Sequence, residues 1–420
     1  MLDVNFIRQN PDKVKEGIVR KKVDPKLVDK FLRADENWRS KTAALDQLKA
    51  EQNFLTKDLA ENQSEDLISK AQVLKKRIEE VEVEKRELEG KRENILQSLP
   101  NLPFDDVPVG KDETENKVLR EVGVKPKFDF EPKEYLALAQ KLDLIDVERA
   151  AKSSGSRFGY LKNEAVLLEF GLIKLAFDTL VKEGFIPVLP PVMIKDKMMK
   201  AMGYIDRRED KEETYFLEKD KLYLVGTAEQ SIGPMHADEV FEENELPKRY
   251  VAFSTCFRRE AGSYGKDTKG IFRVHQFDKV EMFSFCHPDK SREEHEFLLG
   301  LEEKLMQMLK IPYRVVQMCT GDLGNVAAAK FDVEAWFPIQ NQYRETHSTS
   351  NVTDFQARRL NIKYKPKDKT LKPAFIHTLN GSAFSQRPIL AIIENFQTKS
   401  GIIKIPEVLR EYVGKAEIGG

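Results

Sequence analysis

Between residues 26 and 99 the apolar positions fall alternately four and three residues apart. They run Leu27, Phe31, Ala34, Trp38, a polar slot at Lys41, then Leu45, Leu48, a slot at Gln52, Leu55 and Leu59. After the polar stretch 61–66 the pattern restarts as Leu67, Ala71, Leu74, Ile78, Val81, a slot at Lys85, Leu88, a slot at Arg92, Ile95 and Leu99. Sustained four-three alternation is the heptad signature of a coiled coil. The segment holds no proline and one glycine, Gly90, which permits uninterrupted helices. Two runs joined by a short turn predict an antiparallel helical hairpin over about 27–99, each leg ~50 Å long. Such an arm has a thin core and is expected to project. From the heptads alone, an oligomerisation coiled coil fits as well.

Pro100 ends the second leg, because proline cannot continue a helix. Prolines 100, 103, 108, 126 and 132 make residues 100–135 read as a linker wrapping onto a body. In the body, 163–183 reads as a largely buried helix stopped by Gly184, and 185–191 as a short extended segment. Strand-like runs follow at 215–217, 222–225, 250–254, 272–285, 313–316 and 332–337, with a charged helix at about 289–309. These runs pair through short turns rather than alternate with helices. The expected class is therefore α+β, an antiparallel sheet with flanking helices, in domains 1–110 and 111–420.

Composition narrows the function. Lys plus Arg is 69 and Asp plus Glu is 70, so a net charge of −1 gives no global attraction to polyanions. A phosphate or nucleic-acid site must be a local patch. At 40% hydrophobic and 33% charged residues over 420, the chain is not disordered. No apolar run approaches membrane-spanning length, and the N-terminus lacks a signal-peptide pattern. Cys256, Cys286 and Cys319 are too scattered for a cysteine zinc site or a disulfide framework. No zinc and no membrane are expected, and the default location is cytoplasmic.

No GxxxxGK[ST] loop and no GxGxxG turn is present. Charged residues instead occupy strand-like positions. Phe257-Arg258-Arg259-Glu260 follows one strand, a glycine-bearing basic loop comes next, and alternation puts Arg273, His275, Phe277, Lys279 and Glu281 on one face of the return strand. Buried charge needs a partner or a ligand, so Arg258, Glu260 and Glu281 indicate a polar pocket on the sheet. Arginine suits phosphate because its fork binds two oxygens. Glu345 and Ser348, in Arg344-Glu345-Thr346-His347-Ser348, can offer oxygens to magnesium. Asn380 to Pro388 leads into an apolar helix.

These segments carry a resemblance. The Arg258-Arg259-Glu260…Phe277…Glu281 hairpin resembles motif 2 of class II aminoacyl-tRNA synthetases, the helix before Phe185…Pro191 resembles motif 1, and Gly381 to Asn395 resembles motif 3. Thr227-Ala228-Glu229, Glu260 to Ser263, His275 to Glu281, Ser350 to Arg359, Asn101 to Gly110 and the N-terminal hairpin are similar to the signatures of the seryl-tRNA synthetase family. The ordered set spans the whole chain.

The resemblance implies an ATP-dependent, magnesium-dependent ligase that makes seryl-adenylate and passes serine to tRNA(Ser), with tRNA(Sec) left open. It implies catalytic roles for Arg258, Glu260 and Arg387. It places Arg258, Arg259, Glu260, Phe277, Glu345, Thr346, His347, Ser348 and Arg387 at ATP, with Phe277 and Arg387 sandwiching adenine and Glu345 and Ser348 holding magnesium. It places Thr227, Ala228, Glu229, Arg258, Glu281, Asn380 and Ser382 at L-serine. Lys70, Lys75, Lys76 and Arg77 on the arm, with Lys266, Lys269 and Arg273, would meet tRNA, the arm gripping its long variable arm. Motif 1 would form a homodimer. The chain departs from the family pattern between Ser382 and Arg387, one step shorter than usual, with Ala383 and Gln386 where glycines are usual, and His347 stands where serine is usual. Two other readings are a relative that loads an amino acid onto a carrier protein, which would lack the hairpin, and a non-catalytic interaction protein.

Overall fold

The computed structural model describes every residue except Gln63, Arg207, 262–268 and Gly420, and leaves the Arg208 side chain undescribed. The chain divides into two compact units, Met1–Pro100 and Asn101–Gly420. The division comes ten residues before the expected one at 110. The reason is local: from residue 101 the chain is tied into the second unit. The Asn101 amide donates to the Val326 and Val352 carbonyls at 2.9 and 2.8 Å, and Val107 is buried with Val316, Met318 and Leu323.

The first unit holds helices α1 (Val4–Gln9), α2 (Pro11–Arg20), α3 (Lys26–Glu61) and α4 (Glu65–Ser98). The Ser64 hydroxyl caps α4 by accepting from the Leu67 N–H, with Glu65 and Asp66 in the positive first turn. Leu45, Leu74 and Ile78 are buried along the seam, flanked by Leu48, Leu55 and Val81. Three of the four slots are used by cations. Lys41 pairs with Glu84 at 2.5 Å, and Lys85 and Arg92 lie over the Trp38 ring, 5.9 and 4.7 Å from its centroid. Near the start of α3 the buried stripe passes through Val28 and Asp35 rather than Leu27 and Ala34. Asp35 accepts from Arg8 twice at 2.8 Å, from Arg92 at 2.7 Å and from Arg39 at 3.0 Å. Three guanidinium groups thus compensate one buried carboxylate.

The second unit is built on an eight-stranded sheet: β1 (Lys117–Val122), β2 (Ile186–Val188), β3 (Lys248–Phe257), β4 (Gln276–Cys286), β5 (Tyr313–Gln317), β6 (Ala329–Phe337), β7 (Gln342–Asn351) and β8 (His377–Ser385). The spatial order is β1-β5-β6-β7-β8-β4-β3-β2. Every neighbouring pair is antiparallel except β2 with β3. Helices α5 (Glu164–Lys182), α6 (Ser291–Leu309) and α7 (Arg387–Asn395) share one large core with the sheet, including Leu172, Leu298, Leu305, Ile389, Val280 and Val333. The mixed helix-and-sheet class agrees with the expectation. The central strands β7 and β8 and the edge strand β1 were not expected. β7 and β8 read Gln-Tyr-Arg-Glu-Thr-His-Ser-Thr-Ser-Asn and His-Thr-Leu-Asn-Gly-Ser-Ala-Phe-Ser, with too few apolar alternations to register as strands. β1 lies inside the linker, between its prolines at 108 and 126.

Two bulges decide which side chains face which way. On β7, Glu345 pairs with Glu334 and His347 with Val333, so Thr346 is the extra residue. On β8, Phe384 pairs with Val280 and Ser382 with Glu281, so Ala383 is the extra residue.

Candidate active site

The sheet face away from the shared core opens on a cavity of about 630 Å³. That volume suits a nucleotide-sized ligand. On β4, alternation sends Phe277, Lys279 and Glu281 to the cavity and Val280 to the core. The β7 bulge lets Glu345, Thr346, Ser348 and Ser350 all line it, and the β8 bulge does the same for Asn380, Ser382 and Ser385. A bulge also re-aims the shortened stretch before Arg387. That residue starts α7 and enters the cavity, although glycines are absent from the turn.

One end of the cavity is aromatic and cationic. Arg258 lies over the Phe277 ring at 5.2 Å and donates through Nε to the Gly226 carbonyl at 3.2 Å. Arg387 lies over Phe272 at 4.9 Å, and its Nη1 donates to the Glu345 carbonyl at 2.9 Å. Glu260 sits at φ 52°, where non-glycine residues are uncommon. Arg157 reaches its carbonyl at 3.3 Å and Arg273 its carboxylate at 2.8 Å, which holds the carboxylate at the cavity wall.

The other end is small and polar. Glu281 is buried, and its Oε2 pairs with Lys279 Nζ at 2.5 Å. Burial pushes its carboxyl up to about 7, Glu229 adding repulsion and Lys279 opposing. Glu229 accepts from the Tyr204 hydroxyl at 2.8 Å and the Gln356 amide at 3.0 Å. Burial raises its pKa too. Thr227 accepts from Lys279 at 3.4 Å. Ser382 stands opposite Glu281 across the β4–β8 ladder.

Glu345 and Ser348 share the cavity face of β7, with Lys330 of β6 beside them. The Glu345 carboxylate is 47% exposed, and the neighbouring Arg387 and Lys330 hold its pKa well below the usual carboxylate range. One ionised carboxylate and one hydroxyl are hard oxygen donors. They fit magnesium, which takes few protein ligands and completes its shell with water and phosphate oxygens.

Three residues of the expected sets turn away from the cavity. Ala228 is buried in a second apolar cluster with Met202 and Phe283. Arg259 lies over the Tyr215 ring at 5.4 Å, and its N–H donates to the Glu213 carbonyl. His347 falls on the core side of the β7 bulge. Its ring meets Phe384 at 5.6 Å and its Nδ1 contacts Thr346 Oγ1 at 2.9 Å, and burial lowers its pKa to about 4. His275 also leaves the expected face, because β4 begins only at Gln276. It contacts the Arg258 carbonyl at 3.0 Å instead.

Among the loop candidates, Lys269 is exposed, Arg273 lines the cavity, and Lys266 lies outside the described residues. On the arm, Lys75, Lys76 and Arg77 are exposed, and Lys70 pairs with Asp66 at 2.7 Å. Tyr204, Lys279, Lys330 and Gln356 complete the site but were not among the expected site residues. Lys279 was on the expected face, and Gln356 belongs to a quoted signature. Nothing in the local sequence marks Tyr204.

This sheet, antiparallel in every pairing but one, and its cavity are those of a class II aminoacyl-tRNA synthetase, an ATP-dependent ligase, as the proteins it matches show. Residues 215–396 match the tRNA synthetase class II core domain (G, H, P, S and T), and residues 1–103 match the seryl-tRNA synthetase N-terminal domain. A serine–tRNA ligase of Thermobifida fusca is 43% identical over 99% of this chain and 98% of its own length. The crystal structure of seryl-tRNA synthetase from Pyrococcus horikoshii complexed with ATP superposes with a TM-score of 0.92 at 41% identity, covering 100% of this chain and 99% of that one. A cytoplasmic serine–tRNA ligase from Naegleria fowleri in complex with AMP gives 0.87 at 35% identity, covering 100% and 98%. The chain belongs to the seryl-tRNA synthetase family. Among the described residues no helix is long and apolar enough to cross a membrane.

Proposed function

We propose that this chain joins L-serine to the 3′ end of tRNA(Ser) through a seryl-adenylate formed in the 630 Å³ cavity. The observation that supports it best is the division of one cavity into an aromatic, cationic end and a small polar end. In the first step a serine carboxylate oxygen attacks the α-phosphorus of ATP, the bond to the bridging oxygen breaks, and pyrophosphate leaves. In the second, a terminal ribose hydroxyl of tRNA attacks the seryl carbonyl, and AMP leaves. Both steps depend on positioning and on neutralising phosphate charge.

Arg258 takes the α-phosphate, and Phe277 and Arg387 stack on adenine, whose amino group Glu260 accepts. Glu345 and Ser348 would hold magnesium, which supplies charge neutralisation to the phosphates. Thr227 and Glu229 take the serine amino group. Glu281, Asn380 and Ser382 surround the side chain. A buried site that hydrogen-bonds a hydroxyl rejects alanine strongly, since its own polar groups would be left unpaired.

Residues 1–100 serve tRNA, with exposed Lys75, Lys76 and Arg77 on α4 contacting its backbone. A homodimer through motif 1 is supported by exposed apolar side chains on α5 and around β2: Phe170 is 62% and Leu189 77% exposed. A tRNA substrate supports a location where translation occurs, such as the cytoplasm. The test is serine-dependent ATP–pyrophosphate exchange followed by transfer of labelled serine to total tRNA. Exchange and transfer by the intact chain, with transfer alone lost on reversing Lys75, Lys76 and Arg77 to glutamate, supports the reading. Exchange without any transfer overturns the tRNA assignment.

A further inference from the structure

The short helix Phe355–Leu360 begins within the signature stretch Ser350 to Arg359. It faces Glu229 through one residue, since Gln356 donates to the Glu229 carboxylate at 3.0 Å and to the Met202 carbonyl at 3.2 Å. The Thr378 hydroxyl fixes the other end of that amide at 2.8 Å. Three residues on, and so on the same side of the helix, Arg359 turns to a different segment. Its Nη1 donates to both Asp206 oxygens, at 2.9 and 2.7 Å, and to the Lys200 carbonyl at 2.8 Å. The two side chains are 4% and 3% exposed.

Asp206 stands two residues after Tyr204, whose hydroxyl is the second donor to Glu229, at 2.8 Å. The segment that carries both leaves a helix at Gly203, at φ 87°, a conformation suited to glycine. A Cβ there would also meet Val326 at 2.9 Å. The turn is thus sharp at one end and bolted by an ion pair at the other. A buried ion pair is a weak source of net stability, because desolvating two charges offsets their attraction. Its distinctive effect is geometric: it fixes where Tyr204 stands.

We propose that the Asp206–Arg359 pair is a positioning clamp that holds the Tyr204 hydroxyl on Glu229 and thereby sets the affinity of the site for the serine amino group. This rests on the reading of Glu229 as the anchor of that amino group. One helix then supports the anchor twice, directly through Gln356 and at one remove through Arg359. Neither Arg359 nor Asp206 lines the cavity.

The test is a double-mutant cycle in the full chain, read by ATP–pyrophosphate exchange. Tyr204→Phe and Arg359→Gln should each raise the KM for serine about tenfold, the usual worth of one hydrogen bond to a charged group. The KM for ATP should not move. The double variant should be no worse than the worse single, because both act through one contact. If Arg359→Gln does not fold, Asp206→Asn closes the same cycle. Multiplying effects, an unchanged serine KM, or equal rises for serine and ATP would overturn the clamp while leaving the site reading intact. Absence of serine-dependent exchange in the unsubstituted chain would overturn the site reading and the clamp with it.

Discussion

Arg387 grips Glu345 twice, its Nη1 lying 2.9 Å from the main-chain oxygen and 3.0 Å from the carboxylate. The first residue of α7 is thereby tied to β7, although the stretch before it lacks the usual glycines. Arg387→Ala should abolish this tie and cut serine-dependent pyrophosphate exchange by roughly tenfold, the scale of losing one desolvated cation–π stack on adenine. Arg387→Lys should rescue little, because an ammonium cannot reproduce a planar fork over Phe272. Exchange rates of the two variants check this.

Glu281 gives the site a pH dependence. Its carboxyl, raised to about 7 by burial, is protonated at low pH and ionised above. The ionised form accepts the serine hydroxyl best, so the KM for serine should fall as pH rises from 6 to 8. Stability of the ligand-less chain should run the other way. A carboxyl with a raised folded pKa contributes stability that is fully present below the ordinary value near ~4.3 and is lost as pH rises through about 7. Glu281→Gln should flatten both profiles. A serine KM that falls as steeply in that variant would assign the titration elsewhere.

The arm depends on Asp35. Burial alone would raise its carboxyl, but hydrogen bonds from Arg8 and Arg92 hold its pKa down at about 2. The sign is therefore opposite: its contribution is present above the ordinary value near ~3.9 and is lost as pH falls through about 2. Asp35→Ala strands the cationic partners and should cost the first unit about 3–5 kcal/mol. Helical circular dichroism on heating should show an early transition for the variant. Pyrophosphate exchange at room temperature should persist.

Gly381 has little room for a side chain. A Cβ would stand 3.1 Å from Met282 Cε and 3.2 Å from both Glu302 Oε1 and Thr349 Oγ1. Gly381→Ala should therefore destabilise the chain by about 1–3 kcal/mol through overpacking. Because Gly381 pairs with Met282 next to the Glu281–Ser382 rung, the KM for serine should rise as well. Thermal denaturation and exchange kinetics on one sample separate the two effects.

Much was legible before any coordinates. Leu45, Leu74 and Ile78 repeat every three or four residues because a helix turns in 3.6, so the hairpin announces itself. Arg258, Glu260 and Glu281 stand out because charge in or beside a strand-like run needs a reason. Local order determined this much. Which residues share a cavity was decided by tertiary structure. His347 and Ser348 are neighbours of similar polarity, yet alternation sends the first to the core and the second to the cavity, and the bulge at Thr346 brings Glu345 to the cavity side as well. β7 and β8 stayed hidden for the same reason that they matter: their polar faces line the cavity, so they lack the alternation that marks a strand. Nothing near Asp35 in the sequence marks it as buried, because its partners Arg8 and Arg92 lie 27 residues earlier and 57 later. Tyr204 meets Glu229 from 25 residues away. Spacing along the chain governs neighbours on one helix or strand, but contacts between elements depend on register, bulges and packing, which no single segment encodes.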